Sequence, residues 1–163
     1  MSVLSEQQMD FFYREGYLMV PDVFNPVDLT PLREELNSVV DVTANRLKKE
    51  NKLSDLYEDL PFEQRLAAIW RECEEILHPI LGSGGGGYSG KELFSLITNQ
   101  KLLRYIEGFV GEEIVGSSVY RIRPKIPFMD RGVVPWHQDS GYFESHCDDD
   151  LIVTVWLPLV DAT

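Results

Sequence analysis

Leu151-Ile152-Val153-Thr154-Val155-Trp156 carries β-branched side chains at four of its six positions and ends on an aromatic. That composition favours extended chain over helix. Two similar runs precede it, Val115 to Arg123 and Val133 to Asp139, and Pro124, Pro127, Gly132, Gly141 and Pro158 punctuate the series as turns. Only seven residues follow Trp156, so these strands are too few to close a barrel. The chain is therefore expected to be C-terminally truncated, with Ile152, Val153 and Val155 on an unpaired strand edge or an exposed apolar surface.

Upstream of Ile114 the pattern is helical. Ser5-Glu6-Gln7-Gln8 reads as a capping box, with Met9 and Phe12 on one face and Gly16 placed to end the helix. Tyr17 to Val20 predicts a brief strand closed by Pro21. Asn25-Pro26 supplies a cap and a first-turn proline for a second helix, whose Leu29, Leu32, Leu36, Val39 and Val40 recur at spacings suited to one buried face. A third helix is expected from Pro61 through Phe62, Leu66, Ile69, Trp70 and Cys73 to Leu77. Two short helices follow, around Leu93 to Ile97 and Leu102 to Phe109, the second ended by Gly108 or Gly111. Between them and the third helix, the glycine-rich stretch 82–90 lacks the Gly-Lys-[Ser/Thr] ending of a phosphate-cradling loop and reads as a flexible connector. Helices first and strands after predict an α+β chain, a single domain over 1–163 in which a mainly helical layer (1–112) backs the first strands (113–163) of an antiparallel sheet or barrel.

Composition narrows the function. The 163 residues are 44% hydrophobic, enough for a core, and carry a net charge of −12, which argues against a nucleic-acid partner because phosphate binding rests on Lys and Arg. No apolar run approaches the ~20 residues a membrane-spanning helix needs. The N-terminus lacks a basic segment followed by an apolar one, so a cytoplasmic protein with no membrane partner is expected. Cys73 and Cys147 are too few for a disulfide framework. Against the acidic background Arg121, Arg123, Lys125 and Arg131 crowd together, a local asymmetry suited to an anionic ligand or to a solvated strand face.

The chemistry lies in Trp136-His137-Gln138-Asp139. On a strand, alternate side chains share a face, so His137 and Asp139 point together while Gln138 points away. An imidazole nitrogen and a carboxylate so placed suit adjacent positions on Fe(II), with a second His completing the set and leaving sites for a co-substrate and O2. A second His-x-Asp, His146-Cys147-Asp148, lies in an acidic stretch of loop composition and is set aside; His78, near the end of an apolar helix face, reads as a core or capping residue.

Several stretches together resemble the phytanoyl-CoA dioxygenase family. They are Leu4-Ser5-Glu6-Gln7-Gln8 to Phe12, Glu15-Gly16-Tyr17-Leu18, and Leu102-Leu103-Arg104-Tyr105-Ile106-Glu107-Gly108-Phe109-Val110-Gly111. Trp136-His137-Gln138-Asp139 with Tyr142 behind it, and Asp150-Leu151-Ile152-Val153 leading to Trp156, complete the set. The resemblance implies a double-stranded β-helix, a jelly-roll barrel here incomplete, with a helical N-terminal layer. It implies that His137 and Asp139 bind Fe(II), that Trp156 lies against 2-oxoglutarate, and that Val119 contacts this co-substrate. Arg121 and Arg123 would then face the same cavity by alternation. The family's second His and the arginine clamping the distal carboxylate of 2-oxoglutarate are expected beyond Thr163, and its upstream lysine has no counterpart in the glycine-rich loop.

The reading that follows is an Fe(II)/2-oxoglutarate-dependent oxygenase, which uses O2 to hydroxylate a small organic substrate and releases succinate and CO2. As an incomplete chain it is expected to be inactive. Asp139 fills the coordination position that a halogenase leaves open for halide. The alternative is a non-catalytic jelly-roll binding module that has lost the metal, and metal content separates the two.

Overall fold

A computed structural model describes residues 3–82, 87–118, 120–129 and 134–161. Its first helix, α1 (Glu6–Glu15), begins at the capping box: Ser5 Oγ accepts from the Gln8 amide at 3.2 Å and the Gln8 side chain accepts from the Ser5 amide at 2.9 Å. It stops at Gly16, whose left-handed φ of +78° a Cβ would penalise and whose N–H donates to the Phe12 carbonyl at 2.7 Å. The second helix, α2 (Pro26–Lys49), uses the same device, with Asn25 and Asp28 exchanging amide hydrogen bonds at 3.0 and 2.9 Å. Asn25→Ala is expected to lower stability by about 1 kcal/mol, seen as a fall of about 2–4 °C in the thermal midpoint for a chain of this size.

α2 is the axis of the fold. Its buried stripe, Leu32, Leu36, Val40, Thr43, Ala44 and Leu47, serves two cores in succession. The first half packs Leu32 and Leu36 against Leu93 and Leu96 of α5 (Lys91–Ile97). The second half packs Val40, Ala44 and Leu47 against Ala67 and Ile69 of α3 (Phe62–Glu72) and against Ile76, Leu77 and Ile80 beyond it. Arg65 of α3, only 6% exposed, reaches Asp41 of α2 at 2.5 Å and donates through Nε to the Leu56 carbonyl at 3.1 Å. The sixth helix, α6 (Gln100–Val110), docks α1 through Phe12 and Phe109, with ring centroids 4.3 Å apart, and is tied to α2 by Lys101 on Asp28 at 2.6 Å. It ends at Gly111.

Glu35 of α2 accepts from the Glu92 amide at 3.2 Å and so caps α5, whose own N-cap, Gly90, offers no side chain. A Cβ at Gly90 would lie 2.3 Å from both the Glu35 carboxylate and the Tyr88 hydroxyl, so a larger residue there would have to push these side-chain ends aside. Burial, and then the Glu35 carboxylate beside it, push the Tyr88 phenol up to about 12.

Three expectations from the sequence are corrected. The third helix does not run on to Leu77: it ends at Glu72, Cys73 turns extended (φ −148°), and a 3-10 turn over Glu74–Leu77 leads into α4 (His78–Leu81). The Glu72 carboxylate at this break is occupied by Ser54, through its amide at 2.7 Å and its hydroxyl at 2.8 Å, and by the Tyr57 hydroxyl. Apolar spacing survives the break, because Ile69, Ile76, Leu77 and Ile80 all reach the same core.

The larger correction concerns fold class. An α+β chain with a helical layer on an incomplete double-stranded β-helix barrel was the expectation, but every regular element among the described residues is helical and none is a strand. Neither Tyr17–Val20 nor the described parts of 115–123, 134–139 and 151–157 form a ladder. For the segments around Tyr120 and Leu157 the reason lies in what they pack on. Tyr120, Ile122, Leu157 and Leu159 dock onto the α2/α5 core, while Ile122, Ile126 and Met129 reach the α2/α3 core. β-propensity is largely a preference for packing on a neighbouring surface, and here helices supply that surface. Ile152 and Val153 are half-buried, whereas Leu151, Val155 and Trp156 are exposed.

The third correction is to His78. It is exposed, and it contributes its carbonyl, not its imidazole, to the end of α4, accepting from Gly82 N–H at 3.0 Å.

Candidate metal centre

His137 and Asp139 flank Gln138, whose extended backbone (φ −109°, ψ 127°) puts its two neighbours on the same side. Asp139 then opens a 3-10 turn over Asp139–Tyr142. The result is convergence without a sheet: His137 Nε2 lies 3.2 Å from Asp139 Oδ1. Both side chains are part-exposed, 36% and 39%, and so are open to a ligand.

The other imidazole nitrogen sets the tautomer. His137 Nδ1 lies 2.7 Å from the Pro135 carbonyl, which can only accept, so Nδ1 carries the hydrogen. A neutral His137 therefore presents the bare lone pair of Nε2 to a carboxylate oxygen. Two acceptors at that distance repel unless a cation lies between them, either a proton on Nε2 or a metal ion. Nitrogen and oxygen donors sit at ~2.1 Å from a divalent transition metal, so two donors at right angles are about 3 Å apart. The observed separation matches that spacing, and the donor set, one imidazole and one carboxylate, suits Fe(II). Among the described residues no group of three or more His, Cys, Asp or Glu side chains is placed to hold a metal.

Two neighbours shape this pair. The Tyr142 ring meets the imidazole edge-on, with centroids 5.8 Å apart, and the Thr154 hydroxyl donates to Asp139 Oδ2. Thr154 went unnoticed in the sequence: fifteen residues separate it from Asp139, and no local spacing signals a contact across a turn.

The remaining candidates are more dispersed. Trp156 is 65% exposed and two residues beyond Thr154. Arg121 and Arg123 are exposed, and Ile122 between them packs against both helical cores. Neither arginine is bonded to His137 or Asp139. Val119 lies outside the described residues, as does Arg131. The second triplet is different in kind, since His146, in a 3-10 turn over Ser145–Cys147, is exposed and makes no hydrogen bond or ion pair to Asp148. Cys73 and Cys147 are free and half-buried.

A model of the phytanoyl-CoA dioxygenase family matches residues 12–163, which takes in the last turn of α1, the helices after it and the His137/Asp139 pair. The chain belongs to the phytanoyl-CoA dioxygenase family. No curated protein and no solved structure matches it. Membership of this dioxygenase family places the chain among oxidoreductases. Among the described residues of this family member, no helix is long and apolar enough to cross a membrane.

Proposed function

We propose that this chain carries part of the iron site of an Fe(II)/2-oxoglutarate-dependent oxygenase that hydroxylates a small organic substrate. The observation that supports it most is the approach of His137 Nε2 to Asp139 Oδ1 at 3.2 Å, with Nδ1 turned to the Pro135 carbonyl at 2.7 Å. Bound Fe(II) supplies the means to activate O2 and to couple oxidative decarboxylation of 2-oxoglutarate, giving succinate and CO2, to hydroxylation of the substrate.

What this chain's residues do is bind and orient. His137 gives a neutral nitrogen, and Asp139 gives a negative oxygen that lowers the net charge of the site. The two together would hold Fe(II) from one side. Trp156 offers an exposed apolar face to the carbon chain of 2-oxoglutarate, and Arg121 and Arg123 offer positive charge to its carboxylates in a chain of net charge −12.

Anaerobic titration of the chain with Fe(II), or with Co(II) as a coloured substitute, tests the reading. One equivalent should bind to the parent chain and to His146→Ala, while His137→Ala should weaken binding by about 100-fold or more, because even outer-sphere partners of metal ligands are worth 10–100-fold. Loss of binding in His146→Ala with retention in His137→Ala would move the site to the acidic loop. A parent chain that takes up no metal would favour the metal-free binding module.

A further inference from the structure

We propose that Thr154 is a positioning residue for the metal site, holding the Asp139 carboxylate so that Oδ1 alone is presented to the ion beside His137 Nε2. The inference rests on the metal-site reading above and adds to it a residue that no motif marks.

Asp139 stands at the first residue of a 3-10 turn and is 39% exposed, so its backbone leaves its carboxylate free to rotate. Each oxygen has one partner: His137 Nε2 faces Oδ1, and the Thr154 hydroxyl donates to Oδ2. Occupying Oδ2 with a donor leaves Oδ1 as the better free electron pair and favours one-oxygen coordination over chelation of the metal by both. It also keeps the carboxylate turned towards the imidazole, at the spacing two adjacent ligands require.

Thr154 is suited to this task by its own anchoring. Val153 beside it is half-buried, and Leu157 and Leu159, further along the same segment, pack on the α2/α5 core. The hydroxyl is thereby held on a segment fixed to the helical layer, while Asp139 lies on a turn that has less packing of its own. A β-branched side chain restricts χ1, so the position of Oγ1 follows from the backbone. The contact spans fifteen residues and ties the segment after the acidic loop to the turn that carries the motif.

The test uses the full chain with Thr154→Val, which keeps the shape and removes the hydroxyl, and Thr154→Ser, which keeps the hydroxyl. Co(II) and Fe(II) affinities are measured by anaerobic titration, with the visible Co(II) spectrum recorded for each variant. Thr154→Val should bind about 10-fold more weakly, at the lower end of what outer-sphere partners contribute because the residue is exposed, and Thr154→Ser should bind within a few-fold of the parent. The Co(II) spectrum of Thr154→Val should also shift in intensity as the second carboxylate oxygen becomes free to coordinate, a change that a purely structural role would not produce. Thermal midpoints of the metal-free proteins should coincide; if Thr154→Val melts lower, the comparison is made with Thr154→Ala at a temperature where all are folded. Parent-like affinity and spectrum in Thr154→Val, with His137→Ala still defective, would overturn the role of Thr154 and leave the metal site standing. Absence of metal uptake by the parent chain would overturn both.

Discussion

Asp139→Ala is expected to reduce Fe(II) affinity by more than the ~100-fold upper range seen for outer-sphere partners, because it removes the proposed carboxylate ligand that faces His137. Removing a carboxylate that is 39% exposed takes little from any core, so the thermal midpoint should move by no more than the equivalent of about 0.5 kcal/mol. The same substitution leaves His137 Nε2 without its carboxylate neighbour. Iron titration beside a melting curve separates these effects, and any succinate formed from 2-oxoglutarate with added Fe(II) should disappear. Unchanged iron binding in Asp139→Ala would show that the carboxylate is not a ligand, whatever its distance from His137.

Leu47→Ala should be strongly destabilising. Leu47 is 0% exposed and lies where α2 meets Ile69, Ile76 and Ile80, so truncation leaves a cavity that helices packed from several directions cannot collapse into. A loss of about 2–5 kcal/mol is expected. On the same helix Val42 is 73% exposed, and Val42→Ala should stay within about 0.5 kcal/mol. Denaturant unfolding of the two variants checks this, and similar midpoints would contradict α2 as the axis of the core.

Where the sequence was legible, the signal was local. Ser5 with Gln8, and Asn25 with Asp28, are capping partners three residues apart, and they cap the helices they were expected to cap. Gly16 and Gly111 end helices because their left-handed φ values, +78° and +87°, suit a residue without a Cβ. The α3 boundary was missed because the apolar spacing continues through Cys73 while the backbone does not; the Glu72 carboxylate takes its partners from residues 54 and 57, which periodicity cannot see. The approach of His137 to Asp139 was legible too, since an extended residue between two others puts both on one side with or without a sheet.

By itself, then, the sequence determined the helices of the first two-thirds, save the break after Glu72, and the family. Only the tertiary structure decided that Tyr120 and Ile122, and Leu157 with Leu159, dock on helices where strand pairing was expected, that Arg65 is buried on Asp41, and that Thr154 reaches Asp139. The reason is that a strand needs a partner's N–H and C=O groups, a buried charge needs its counter-ion, and a positioning hydroxyl needs its carboxylate. Each of these partners is distant in the chain, and residue order alone does not say which of them will meet.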